Sequence, residues 1–220
     1  MNFYHGSKQI VNKPLVNGSK PNNDYGPSFY VTMDLDSAKE WACKNEEIGI
    51  VNQYFIRQKD FESLKILDLT KKDKYSVLNW LAILMHFRDL DNSVKTTFKN
   101  RLEWLSKYYI DVSEYDVIKG FRADDAYFKF PIKFLSSTLS LENLENVFEF
   151  GHLGIQYAFM SNKAISKLKF VSSFECDEAY VGRYYHLVKK ASEEFEQLIN
   201  KPINDNETFI DDLIKKDKYE

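Results

Sequence analysis

"FYHGSKQI" (residues 3–10) places one of only four histidines almost at the start of the chain, between an aromatic pair and a glycine. Residues 2–6, "NFYHG", are typical of a short β-strand. A second segment, "DYGPSFYVT" (residues 24–32), ends in another aromatic strand candidate. Between the two strands, residues 11–28 carry three prolines and two glycines, which predicts a long irregular loop. Loops of this length in compact domains commonly carry function, so this region is the first candidate for a site.

The composition is that of an ordinary globular chain. Its 220 residues fit one domain, and a hydrophobic share of 44% is enough to form a sizeable core. The chain contains 17 phenylalanines and 14 tyrosines, which fits either an aromatic-lined groove or the bias of an AT-rich genome. The 30 basic and 33 acidic residues are interspersed, and therefore no basic patch indicates duplex binding. Brief contact with a nucleic-acid substrate stays open.

Cysteine spacing and hydropathy indicate a soluble, cytoplasmic protein. Cys43 and Cys176 fit no metal or redox motif, and we expect two free thiols in a reducing compartment. The first residues lack the charged and apolar regions of a signal peptide. The longest apolar run, "WLAILM" (residues 80–85), is far too short to span a bilayer.

Hydrophobic periodicity predicts strands early and late in the chain, with helices between them. We expect a helix capped by Asp36, followed by strands over 49–56 and 64–69. Residues 74–110 change to helical periodicity and form an apparent insertion. "YDVIKGF" (residues 115–121) fits a strand or a loop.

The second half of the chain is predicted to be mainly helical. We expect helices over 124–137 and 140–150, the latter capped by Ser140. "GIQYAFMS" (residues 154–161) is the last strong strand candidate, Asp177 opens a long helix, and a short terminal helix follows. The fold class is therefore α+β. Residues 1–175 form the main domain, and the helices of residues 176–220 pack on it.

Common catalytic motifs are missing from the sequence. It contains no glycine-rich phosphate loop, no HExxH or paired-cysteine metal motif, and no GxSxG. Phosphoryl transfer, zinc hydrolysis and serine hydrolysis are disfavoured, and we expect no built-in metal.

Four short segments carry residues suited to chemistry: "YHGS" with His5, "DYGPSFYVT" with Tyr30, "GFRADDAYF" with Arg122, and "LGIQYAFMS" with Gln156. Each has a simple structural explanation when taken alone. An edge histidine, a strand aromatic, a capping ion pair and a solvent-facing glutamine are all common in folded proteins.

Taken in order, these segments resemble the ADP-ribosyltransferase superfamily, over roughly residues 3–170. The similarity is closest to its His-Tyr-Glu branch, which includes poly(ADP-ribose) polymerases and diphtheria toxin, and within it to an uncharacterised bacterial family. In that branch an aromatic-His-Gly element ends the first strand, a strand with a key tyrosine precedes a helix (here "SAKEWA"), and a late strand carries a glutamate. The resemblance implies a split β-sheet core around an NAD cleft, with added helices.

The resemblance also implies roles for individual residues. His5 donates a hydrogen bond to the adenosine-ribose hydroxyl. The backbone of Gly6 holds the nicotinamide carboxamide, where a side chain would obstruct close approach, and Tyr30 stacks on the nicotinamide ring. Ser7, Arg122 and Tyr127 complete the NAD-binding candidates, with Arg122 placed to meet the diphosphate or to hold the neighbouring aspartates.

The catalytic position departs from the superfamily pattern. Gln156 stands where the glutamate is expected, and an amide cannot serve as a general base. Asp125, or Asp124 beside it, is the candidate for the missing carboxylate, with Asp125 preferred. The loop before Tyr30 also carries Ser28 where a second glycine is frequent.

The implied activity is mono-ADP-ribosyl transfer from NAD to a protein or nucleic-acid acceptor, in a bacterial toxin or phage-defence effector with a small neutralising partner protein. A catalytically silent module that binds NAD or ADP-ribose is the alternative, which the glutamine favours. An NAD glycohydrolase is a third possibility.

Overall fold

The computed structural model describes residues 1–123, 129–146, 154–204 and 206–219, apart from the side chains of Lys129 and Tyr219. The fold is mixed α+β with two sheets. The strands are β1 (Asn2–Ser7), β2 (Phe29–Val31), β3 (Ile50–Phe55), β4 (Ile66–Asp68), β5 (Val117–Phe121), β6 (Ile155–Phe159) and β7 (Lys169–Glu175). One sheet has the order β1-β3-β7, and the other has the order β2-β6-β5-β4. All neighbours are antiparallel except β4 and β5, which are parallel.

The helices lie mainly between the strands and after them. They are α1 (Leu35–Ala42), α2 (Gln58–Glu62), α3 (Val77–Phe87), α4 (Asn92–Thr97), α5 (Lys99–Leu105), α6 (Lys129–Leu135), α7 (Leu141–Asn146), α8 (Asn162–Ile165), α9 (Arg183–Ile199) and α10 (Ile210–Tyr219). The residues predicted to be helical, 74–110, contain α3, α4 and α5. In the described part of the chain, no helix has the length and apolar character needed to cross a membrane.

The two sheets meet at one point, next to the first strand. Tyr4 and Thr32 exchange two backbone hydrogen bonds of 2.8 and 2.9 Å, which join β1 to the end of β2. Aromatic side chains fill the space between the sheets on one side of this junction. Phe3 packs edge-on against Tyr157 and Phe159, with ring centroids 5.0 and 5.6 Å apart. The apolar residues on one side of β1 thus hold the sheets together.

Helix α1 packs closely on β1 and β3 because small residues face each other there. Ala38 and Ala42 are buried in α1, and Gly6 of β1 and Gly49, just before β3, lie opposite them. The cap differs from the prediction. The side chain of Asp34, not that of Asp36, accepts a hydrogen bond from the Ser37 amide, and the helix begins at Leu35.

The main core surrounds α3, in which eight of eleven residues are buried. Residues of the C-terminal helices, among them Phe195 of α9 and Ile210 of α10, belong to the same buried cluster as Leu81. Ser140 caps α7 as predicted, since its hydroxyl accepts from the Asn143 amide at 3.2 Å.

Further outcomes concern the second half of the chain. Residues 115–121, predicted to form a strand or a loop, contain the strand β5. The segment "KFVSSFE" forms β7, which was missed because none of its residues is buried and its hydrogen bonds come from β3. Asp177 caps only a single 3₁₀ turn, and α9 begins after Gly182, whose φ of 83° breaks the helical path.

Candidate functional site

A cavity of about 520 Å³ opens beside the junction of the two sheets. Its walls come from the end of β1, the loop before β2, β2 itself, α1, and the ends of α3, β5 and β6, with Tyr184 of α9 at one side. The volume lies within the range of small-molecule sites, about 300–1,000 Å³.

His5 and Tyr30, 25 positions apart, both line this cavity and contact each other. The His5 Nδ1 atom lies 2.8 Å from the carbonyl oxygen of Tyr30. The Tyr30 hydroxyl donates to the Gly26 carbonyl at 2.7 Å and accepts from the Tyr25 amide at 3.1 Å. These bonds fix the ring of Tyr30 as a wall of the cavity.

The hydrogen bond of His5 determines its tautomer. A carbonyl oxygen only accepts, so Nδ1 carries the hydrogen and Nε2 of the neutral ring is an acceptor. Burial lowers the pKa of His5, and the bond to Tyr30 opposes this only in part. At neutral pH the site therefore presents a neutral imidazole whose Nε2 can accept a hydrogen bond from a hydroxyl group, whereas the resemblance implies that His5 donates one.

We expect the free energy of unfolding to decrease as the pH falls below about 6.5, because the unfolded chain then binds a proton at His5 more readily than the folded protein does. Denaturant titrations at about pH 7.5 and about pH 5.5 measure this change. In His5→Gln the decrease should be smaller than in wild type. His186→Gln, at an exposed position of α9, is the matched control. An unchanged decrease in His5→Gln would contradict the assignment to His5.

Gly6 lines the cavity, and its missing side chain faces α1. A Cβ at this position would lie 2.2 Å from the Ala38 carbonyl oxygen and 2.6 Å from the Ala42 nitrogen of α1. The structure thus shows that position 6 must be glycine so that α1 can pack closely on β1. Ser7 is not among the lining residues, and its hydroxyl donates to the Gln9 carbonyl and accepts from Asn52.

A buried carboxylate, Asp24, lies at the inner end of the cavity with 6% of its surface exposed. Arg88 donates to its Oδ1 at 2.5 Å, and the Ala123 amide donates to its Oδ2 at 2.8 Å. Nε2 of Gln156 donates to the same Oδ2, also at 2.8 Å. Asp24 therefore connects the loop before β2 with the ends of α3, β5 and β6.

Gln156 is buried, with 8% of its surface exposed. The simple structural explanation of this residue, a glutamine that faces solvent, is therefore wrong. It lies on β6, in register with Gly120 of β5. Its amide reaches Asp24, a residue inside the quoted segment "DYGPSFYVT" that the sequence analysis did not select.

A cationic and aromatic wall forms another side of the cavity. The Trp41 ring of α1 lies 3.6 Å from the Lys44 ammonium and 5.1 Å from the Arg122 guanidinium, and it packs edge-on against Tyr184. This wall suits an anionic group carried next to an aromatic base. Arg122 was expected at the site. Trp41, Lys44 and Tyr184 were not. Trp41 lies in the quoted helix "SAKEWA" but was given no role there, and Lys44 and Tyr184 belong to no quoted motif.

Asp124, Asp125 and Tyr127 lie outside the described residues. Among the residues that are described, no group of three or more His, Cys, Asp and Glu side chains is arranged to hold a metal ion.

Comparison with known families matches residues 1–170 to the model of DUF3990, described as a protein of unknown function, and the chain belongs to this family. No curated protein and no solved structure matches the chain.

Proposed function

We propose that this DUF3990-family protein is a mono-ADP-ribosyltransferase that uses NAD as its donor and acts in the bacterial cytoplasm as a toxin or defence effector. The resemblance of its motifs to the His-Tyr-Glu branch of the ADP-ribosyltransferases is the starting point. A small neutralising partner protein belongs to the same proposal. The acceptor is a protein side chain or a nucleobase.

The convergence of His5, Gly6 and Tyr30 on one cavity is the observation that carries the proposal. Nε2 of His5 accepts from a ribose hydroxyl, and Tyr30 offers a fixed aromatic ring to the nicotinamide. The wall around Trp41, with its two cations, suits the diphosphate and the adenine. The split between the two sheets is compatible with the split-sheet core of that superfamily.

The reaction breaks the bond between C1′ of the nicotinamide ribose and the ring nitrogen. Nicotinamide leaves with the bonding electron pair and becomes neutral, while C1′ acquires oxocarbenium character as in glycoside hydrolysis. The acceptor then forms the new bond at C1′ and loses a proton. Gln156 accepts a hydrogen bond from the neighbouring ribose hydroxyl and orients the sugar. In this proposal the acceptor's proton goes to a carboxylate, with Asp125 as first candidate, or to solvent.

Nicotinamide release from NAD by the purified protein tests the activity directly. Labelled NAD incubated with cell extract, followed by protease or nuclease digestion, then assigns the label to a protein or nucleic-acid acceptor. Release without any labelled product would support an NAD glycohydrolase. Binding without release would support a silent NAD-binding module, which the neutral Gln156 favours.

We expect His5→Ala and Tyr30→Ala each to weaken NAD binding by about 1–3 kcal/mol, or roughly five- to 150-fold, through loss of a buried hydrogen bond or a stacked ring. Quenching of tryptophan fluorescence measures this affinity, because Trp41 lines the cavity, whereas Trp80 and Trp104 are buried and do not line it. His186→Ala, at the exposed control position, should bind like wild type. Wild-type affinity in both site variants would refute the assignment.

A further inference from the structure

The hydrogen bond between Asp24 and Gln156 satisfies two buried polar groups, and it also bears on the orientation of the Gln156 amide. Both oxygens of Asp24 accept hydrogen bonds, from Arg88, the Ala123 amide and Gln156. A carboxylate with an arginine partner and a backbone donor is held ionised, and an ionised carboxylate only accepts. The nitrogen of the Gln156 amide must therefore point toward Asp24.

A second buried group, the Tyr25 hydroxyl, lies close to Gln156. Tyr25 is completely buried and donates its hydroxyl hydrogen to the Phe121 carbonyl at 2.7 Å. Burial raises the pKa of this hydroxyl. Because Nε2 of Gln156 is bonded to Asp24, Oε1 occupies the other branch of the planar amide, directed away from that carboxylate. Gln156 also lines the cavity.

We propose that Asp24 is a positioning residue, which fixes the amide of Gln156 so that its Oε1 faces the cavity as the acceptor for a ribose hydroxyl. The hydroxyl contact rests on the proposed function, whereas the pairing of Asp24 with Gln156 does not. Asp24 does not act as a base here, because three donors already occupy its oxygens.

The same arrangement gives a physical reason for glutamine at position 156. A glutamate there would place a second carboxylate within hydrogen-bond distance of Asp24. Two carboxylates at that distance share one proton, because both cannot ionise without strong repulsion. A protonated glutamate would reproduce the glutamine, since it donates to Asp24 and turns its carbonyl oxygen to the cavity. Ionisation of that glutamate would remove the hydrogen that it donates to Asp24 and would break this hydrogen bond.

Gln156→Glu therefore tests the proposal through the direction of its pH dependence. Without NAD, we expect its unfolding midpoint in denaturant to fall relative to wild type as the pH rises, because a carboxyl group with a raised pKa loses its stabilising contribution when it ionises. With NAD, we expect its rate of nicotinamide release relative to wild type to fall by up to about tenfold per pH unit above the pKa of the pair.

The other titratable or charged groups around the cavity are common to both proteins, so the ratio to wild type isolates the substitution. Among the described residues they are His5, Lys20, Lys44, Arg88, Arg122 and the tyrosines at positions 4, 25, 30 and 184.

Asp24→Asn provides the test of positioning. With asparagine at 24 the amide of Gln156 is no longer held in one orientation, and we expect kcat to drop about tenfold or more while KM changes less than about threefold. A wild-type kcat in this variant would overturn the positioning role. If the variant does not fold, the two measurements on Gln156→Glu still decide.

The opposite pH trend would also overturn the proposal. A relative rate of Gln156→Glu that rises with pH would mean that an ionised glutamate is the working form, independent of Asp24. If the unfolding midpoint of Gln156→Glu changes with pH in the same way as that of wild type, the pairing is refuted, even in a protein that cleaves NAD. If wild type neither binds nor cleaves NAD but the midpoint falls as expected, the pairing stands, and the proposed function and its ribose contact are wrong.

Discussion

Gly6→Ala should destabilise the protein by about 3 kcal/mol or more, although the change adds only one methyl group. The methyl carbon would lie 2.2 Å from the Ala38 carbonyl oxygen and 2.6 Å from the Ala42 nitrogen. Both are backbone atoms of α1, so no side-chain rotation relieves the contact. Either α1 moves away from β1, which also displaces Trp41 from the cavity wall, or the strand bends.

Chemical denaturation of Gly6→Ala against wild type measures this loss. Gly18→Ala is the matched control, because a methyl group there meets only the Leu15 Cβ at 3.7 Å, and we expect a change within about 0.5 kcal/mol. The reason derived from the resemblance, close approach of nicotinamide to Gly6, leads to a different outcome. It predicts unchanged stability with weaker NAD binding, and that result would contradict the packing argument.

Asp24→Ala should cost about 3–5 kcal/mol of unfolding free energy. Its carboxylate is the common partner of Arg88, the Ala123 amide and Gln156, which belong to three different segments. The side chains of Asp24 and Arg88 are only 8% and 18% exposed, and truncation removes a buried carboxylate from the guanidinium in a poorly solvated place. Three chain segments lose their connection at the same time.

Asp89, which follows Arg88 in the sequence, offers the control for the stability measurement on Asp24→Ala. Its pair with Lys95 spans 3.8 Å, and the two side chains are 80% and 52% exposed. Solvent-exposed pairs of this kind contribute little, so Asp89→Ala should change the stability by less than about 1 kcal/mol. Equal losses in Asp24→Ala and Asp89→Ala would show that the buried network does not stabilise the fold.

The site could be predicted only in part. His5, Tyr30 and Gln156 follow from short motifs, and the structure places all three on one cavity. Asp24 lies inside one of the quoted segments, yet an aspartate in a loop rich in proline and glycine is ordinarily a turn residue. Its importance depends on Arg88 and Gln156, which are 64 and 132 positions away.

Local elements were determined by the sequence alone, because strand alternation, helical periodicity and caps act over a few residues. The sequence was sufficient to predict β1, β2, β3 and β6, the helical block beginning at α3, and the Ser140 cap. Tertiary structure decided which surface each residue faces: the missing side chain of Gly6 faces α1, the amide of Gln156 faces Asp24, and β7 exists as the partner of β3. These outcomes depend on close packing and hydrogen bonding between segments far apart in the chain, and no pattern within a single segment encodes them.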